Sequence, residues 1–284
     1  MNMRFSDRIG ITKVKSTIQI DFIDEELRNG LWNVFQVFFI QPMIRQNGLY
    51  MYSSRFKSFV ESIWFSFFKE PIDQIPYNKS DVANTLRRRF FEWEWYEVYN
   101  FIEFSLSSNE VDSIELEKGY NFILEREVSG YRFIDMVLAP ITSEVEINEI
   151  QEAINSTDNN DETGVNTHLK RALGKLTDKK NPDYRNSIKE SISAVESISK
   201  VIAGDKKAEL GKAIKAIKSK IEIHPALEKG FLSIYGYTSD GDGIRHALLE
   251  KDNVHFEDAK YMLVACSSFV NYLKIKADKA EIIN

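Results

Sequence analysis

The sequence predicts a mainly α-helical protein of two domains: an α-rich N-terminal one with a small β element, and a C-terminal helical bundle. Three observations predict it. Apolar residues recur at spacings of three and four through most of the chain. Alternation of period two is confined to residues 12–22 and to a short stretch after Gly130. The local charge changes sign between about residues 155 and 163, and a chain of 284 residues is long for a single core.

Taken in order, Val14, Ile18, Ile20 and Phe22 fall on one side of a short strand or extended arm. Asp24 is placed to cap a helix whose apolar face runs Leu27, Leu31, Val34, Phe35 and Phe38, with Pro42 near its end. A second helix carries Phe56, Phe59, Val60, Ile63 and Phe67 and stops before Pro71. A third is expected as one piece from near Ser80 to about Ser107, through Leu86, Phe90, Trp93, Phe101 and Phe104. Its aromatics read as core plus a contact surface. The alternative, a base-stacking platform beside Arg87, Arg88 and Arg89, is opposed by Glu92, Glu94 and Glu97, which repel phosphate. A further helix spans about 110–127. Residues 131–141 read as β, and Ser143 with Glu146 three residues on has the spacing of a capping box.

Residues 143–162 hold seven acidic residues and no Lys or Arg, and the polar run 155–161 reads as a linker. We therefore place the domains at 1–155 and 163–284. Over residues 165–221 there are 14 Lys or Arg against 6 Asp or Glu, so the overall charge of −6 hides a basic second domain. Such a surface suits a nucleic-acid backbone, or is simply a solvated helix face. Four amphipathic helices are expected there, over 165–177, 183–203 (following Pro182, which suits a first-turn position), 206–221 and 256–275.

Cys266 lies on an apolar stripe and can form no internal disulfide. The opening residues lack the apolar core of a secretory leader, and the run Val34–Ile40 is far shorter than the roughly 20 residues of a membrane span. A cytoplasmic protein with no membrane contact is expected. His168 and His224 stand at no metal-ligand spacing, and no phosphate-binding Gly-rich motif follows a strand, so neither metal nor cofactor is expected.

One stretch concentrates chemistry: Tyr235-Gly236-Tyr237-Thr238-Ser239-Asp240-Gly241-Asp242-Gly243-Ile244-Arg245-His246, read as a loop after a short helix from Pro225. An arginine fork can hold a phosphate, and an imidazole can move a proton near neutral pH. The residues leave open whether Arg245 and His246 do this. Arg245 can instead pair with Asp240 or Asp242 while His246 caps a helix. The 183–203 helix carries two polar stripes, Arg185, Lys189, Ser193, Glu196 and Lys200, and Asn186, Glu190, Ser193 and Ser197, which are solvent faces or line that loop.

Several stretches resemble a known family. Pro182-Asp183-Tyr184-Arg185-Asn186-Ser187, Ile223-His224-Pro225-Ala226-Leu227, Tyr235–Asp240 and Gly243–Leu249 look like the HEPN-like helical domain of bacterial abortive-infection proteins. Phe5–Ile11, Leu27–Asn33, Phe101–Phe104 and Gly130–Phe133 resemble the N-terminal domain of the AbiJ type. The resemblance implies an antiphage protein that works as a homodimer, with a metal-independent endoribonuclease bundle and an N-terminal domain that senses or recruits. It makes RNA the expected substrate and a phage-derived or antitoxin protein an expected partner. On this reading His246 is the acid/base, Arg245 the phosphate ligand, and Arg185, Asp240 and Gly243 contact substrate. The family motif has four to six residues between Arg and His. Here Arg245 and His246 are adjacent, and His255 follows Arg245 only after nine residues. That departure keeps a second reading, a non-catalytic module that binds nucleotide, RNA or protein.

Overall fold

The computed structural model describes residues 18–159, 162–178, 181–205, 210–218, 220–239 and 254–282. It is helical but for one two-stranded sheet. The chain divides into two compact units, Met1–Thr142 and Ser143–Asn284.

In the first unit, α1 (Glu25–Phe35) starts at Asp24, whose carboxylate accepts from the Leu27 N–H at 2.9 Å, as the sequence leads one to expect. The helix continues through a π turn, Gln36–Ile40, into α2 (Gln41–Arg45). Pro42 lacks an N–H and would crowd the preceding turn. The wide turn just before it, closed by Gln41 N–H onto the Gln36 carbonyl, gives it room. Helix α3 (Lys57–Ser62) likewise runs into a π segment, Ile63–Phe68.

The helix expected from Ser80 to Ser107 is two helices, α4 (Lys79–Glu92) and α5 (Trp95–Ser105). Trp93 and Glu94 are extended, and the Glu94 N–H donates to the Glu97 carboxylate at 2.9 Å. The Arg28 guanidinium collects the carbonyls of Phe90 and Trp93, each at 2.8 Å, so the open end of α4 is satisfied from α1. Most of the aromatics there join the core: Phe90 and Phe101 are fully buried, and Trp93 packs on Phe67, Phe90 and Phe101, whereas Tyr96 is half exposed. Two of the three neighbouring arginines make contacts within the unit, while Arg88 is exposed. Arg87 lies over Phe91, and Arg89 lies over Phe68 while making a two-pronged bond to Glu70 at 2.9 and 2.8 Å.

Helix α6 (Ser113–Arg126) leads into the hairpin β1 (Arg132–Ile134) and β2 (Val137–Ala139), paired antiparallel with Phe133 opposite Leu138. Asp135 and Met136 both have positive φ, 49° and 64°, the backbone a two-residue turn needs to match the twist of its strands. Of the expected N-terminal strand, residues 12–17 lie outside the described residues. Gln19 forms a single parallel bridge with Ser129.

The second unit begins with α7 (Glu144–Ser156), capped by the Ser143 hydroxyl, which accepts from the Glu146 N–H; the expected box stays half-formed, the Glu146 carboxylate meeting Lys260 at 2.8 Å. It continues with α8 (Thr163–Thr177), α9 (Tyr184–Ala203), α10 (Leu210–Ile217), α11 (Pro225–Ser239) and α12 (Phe256–Lys279). Helix α9 is central, packing on α8, α10 and α12, and α12 packs on α7. Leu169, Leu173, Ile188, Ile192, Val195, Leu263, Cys266 and Val270 are all buried, so the stripes read from the sequence do meet in one core. Burial pushes the Cys266 thiol well above its ordinary range. Pro182 precedes α9 rather than opening its first turn. Asp183 is the cap, accepting from the Asn186 N–H at 3.2 Å. Among the described residues no helix is long and apolar enough to cross a membrane.

Candidate functional site

Four of the five expected site residues, Asp240, Gly243, Arg245 and His246, lie outside the described residues. The stretch leading to them is not a loop from its start. Helix α11 runs through Tyr235 and Gly236 to Ser239. His224 caps that helix, its Nδ1 accepting from the Ala226 N–H at 3.2 Å. Arg185 sits in the first turn of α9, partly buried.

What the described residues do bring together is a polar seam between α8 and α9. The two helices run antiparallel about a short connection. Gly164, His168, Arg171 and Lys175 repeat at four, three and four on α8. Asp183, Asn186, Glu190, Ser193 and Ser197 do the same at three and four at the start of and along α9. Cross-helix contacts fix the register. Lys175 Nζ reaches Asp183 at 3.1 Å, the Ser187 hydroxyl donates to the Ala172 carbonyl at 2.8 Å, and His168 Nδ1 lies 2.6 Å from Glu190. At the far end a Cβ on Gly164 would come within 3.7 Å of the Ser197 hydroxyl, so ordinary space remains there.

Glu190 is the informative member. An ionised carboxylate only accepts, so His168 Nδ1 carries the hydrogen and Nε2 is left as the working nitrogen. The ring is held in one tautomer and one orientation, half-buried on the seam. Arg171, three residues on, shares that helix face and is exposed, as are Lys170 and Lys189. At the other end Asp183 is drawn below the usual carboxylate range: burial opposes this, but hydrogen bonds from Asn186 and Lys175 outweigh it. With Nδ1 donating to Glu190, Nε2 is the nitrogen left to accept a proton, while the cationic Arg171 on the same helix face can hold an anion. Among the described residues no group of three or more His, Cys, Asp or Glu could hold a metal ion.

Sequence reasoning passed over the His168–Glu190 pair because the two are far apart in the chain and belong to no local motif. A signal existed. In a helical hairpin, residues equidistant from the connection face one another, and the two polar stripes coincide when α8 and α9 are folded about residues 178–183.

No curated protein and no solved structure matches the chain. Residues 3–156, more than half of the 284, match the family model described as AbiJ N-terminal domain 4. The chain therefore belongs to the AbiJ N-terminal domain 4 family, which points to a role in abortive infection.

Proposed function

We propose that this is a cytoplasmic antiphage protein whose second unit is a HEPN-like bundle that cleaves RNA without a metal, as a homodimer, while the first unit senses or recruits. The observation that carries the defence role is the family match over residues 3–156. The RNA part is supported by the basic helices of the second unit and by Arg245-His246. RNA brings its own nucleophile, the 2′-hydroxyl. His246 takes that proton or protonates the leaving 5′-oxygen, and Arg245 stabilises charge on the phosphate. Arg185 positions substrate, with Asp240 and Gly243 shaping the approach.

The test is the full chain incubated with total RNA in the presence of a chelator, alongside phage plaque counts, comparing wild type with Arg245→Ala and His246→Ala. Cleavage and protection are both expected to fall to background in each variant. Equal cleavage, or cleavage abolished by the chelator alone, removes this mechanism.

A second reading is favoured by the adjacency of Arg245 and His246. Neighbours on an ideal helix point about 100° apart and do not converge on one phosphate. On that reading the bundle binds RNA, nucleotide or protein without cutting it. RNA retained by a chain that cleaves nothing, with protection intact in His246→Ala, selects it.

A further inference from the structure

The first unit carries a built pocket that the reading above does not use. Two chain segments meet edge to edge: Tyr50 bridges Asn78, Met51 N–H donates to the Tyr77 carbonyl at 2.9 Å, and Lys79 N–H to the Leu49 carbonyl at 3.0 Å. The Lys79 side chain is buried, its ammonium donating to the carbonyls of Gln46 and Asn47 at 3.2 and 3.4 Å. Gln46 in turn accepts from the Ser54 hydroxyl and the Arg55 N–H. Burying an ammonium to hold a surface loop is costly, so the loop's shape matters.

What this scaffold displays is apolar and open to water. Tyr50, Tyr52 and Tyr77 gather with ring centroids 4.5 to 5.8 Å apart, and Tyr52 and Tyr77 are 60% and 62% exposed. Leu49 beside them is 75% exposed and Ile72 53%. Between Tyr52, Tyr77, Val60, Ile72 and Ile75 lies a cavity of about 160 Å³, with Lys57 and Glu61 at its edge. That volume suits one six-membered ring; an engineered cavity of about 150 Å³ takes benzene.

Two features choose among occupants. The apolar rim extends past the cavity to Leu49 and Tyr50, which a small molecule filling the cavity leaves wet and a polypeptide covers. The charge is one-sided along the loop. Residues 27–60 contain Arg28, Arg45, Arg55 and Lys57 and no Asp or Glu. Arg28 is committed to the carbonyls of Phe90 and Trp93, which leaves Arg45 and Arg55 exposed; Lys57 is exposed too but reaches Glu61, the next acidic residue, at 3.5 Å. We propose that this pocket docks an acidic segment of another protein, with an aromatic side chain in the cavity and flanking carboxylates that meet Arg45 and Arg55 and compete with Glu61 for Lys57.

The probe is a fluorescein-labelled heptapeptide of alternating Asp and Glu around a central Phe, titrated onto the full chain and read by anisotropy. Controls carry Ala at the centre, or Lys in place of the acids. AMP and phenol serve as unlabelled competitors. The Phe peptide is expected to bind about tenfold tighter than its Ala version. Tyr52→Ser and Lys57→Glu should each weaken it about fivefold with unchanged circular dichroism, since both side chains are exposed. Lys57→Glu should also improve binding of the basic peptide. No binding at millimolar peptide, equal binding of Phe and Ala versions, or a preference for the basic peptide overturns the proposal. Displacement of the acidic peptide by phenol supports it. Binding of AMP without binding of the acidic peptide assigns the pocket to a nucleotide and also overturns it. None of these outcomes depends on RNA cleavage, so the two readings fail separately.

Discussion

His168 on α8 is held by Glu190 on α9, Nδ1 to carboxylate oxygen 2.6 Å, with both side chains only partly open to solvent. The contact joins the two helices at mid-seam, between the Lys175–Asp183 pair at one end and the Gly164–Ser197 approach at the other. A half-buried bond to a charged group is worth more than a surface ion pair and less than a fully buried one, about 1 kcal/mol after allowing for solvent. We expect His168→Gln and Glu190→Gln to be non-additive by about that amount in a double-mutant cycle read by urea unfolding. Additive effects would mean that the pair does not couple α8 to α9.

Gly30 answers a packing question in the first unit. It is buried within α1, and a Cβ there would lie 2.5 Å from Cγ2 of Ile123 on α6 and 3.3 Å from the Arg126 guanidinium. Alanine gains about 1 kcal/mol in a helix interior relative to glycine. Here that gain is overtaken by the overlap with a β-branched side chain, which cannot swing clear. Gly30→Ala is expected to lose about 1–3 kcal/mol on chemical unfolding. Ile123→Ala in the same background should lose less than the sum of the two single changes.

Much of this fold was legible because local chemistry decided it. Asp24 and Ser143 precede their helices at capping positions and do cap them. The stripes of α8, α9 and α12 meet as their spacing implies. The break at Trp93-Glu94 was not legible, because the aromatic periodicity runs straight through it. The interruption depends on Arg28, some sixty residues earlier, taking up the carbonyls of α4. The π turns before Pro42 and after Ser62 leave no pattern that distinguishes them from ordinary helix. The tyrosine pocket is hidden for a similar reason: Tyr52 and Tyr77 come together only through the pairing of Tyr50 with Asn78. Of the expected site, Arg185 is placed on α9, and Asp240, Gly243, Arg245 and His246 lie outside the described residues.

The hairpin of the first unit gives a pH prediction. Met136 N–H donates to Glu117 at 2.7 Å and Leu138 N–H to Glu103 at 2.8 Å. Desolvation raises both carboxyls above the usual range, partly offset by those same bonds, and Asp135 pushes Glu117 further. A folded-state pKa above the unfolded one means the contribution is fully present at pH below the unfolded value. It is lost as pH rises through the folded value. Glutamine keeps the accepting oxygen and never ionises. Glu117→Gln should therefore match wild type in acid and become the more stable chain as pH rises beyond the carboxylate range, measured by thermal melts across pH 4–8 (roughly the window over which such a group titrates). Glu103, with a more open edge, should show the smaller effect. A variant less stable than wild type at neutral pH would refute this account of the two carboxylates.

The α8–α9 seam can be tested as an RNA surface without reference to cleavage. Arg171 is exposed one turn from His168, and Lys189 is exposed beside Glu190. If the backbone of a single strand lies along the seam, each cation that neutralises a phosphate releases a counterion on binding. The affinity then falls with salt by a slope of about 0.7 per contact on a double-logarithmic plot. Arg171→Gln should weaken binding of a poly-uridine oligonucleotide at low salt and reduce that slope by about 0.7, leaving the unfolding midpoint unchanged. Lys189→Gln should do the same, and the pair together should lower the slope by about twice as much. A weakened affinity with an unaltered slope would point to a shape change rather than a lost phosphate contact. An unaltered affinity would move the RNA path off this seam and onto other basic residues of the second unit.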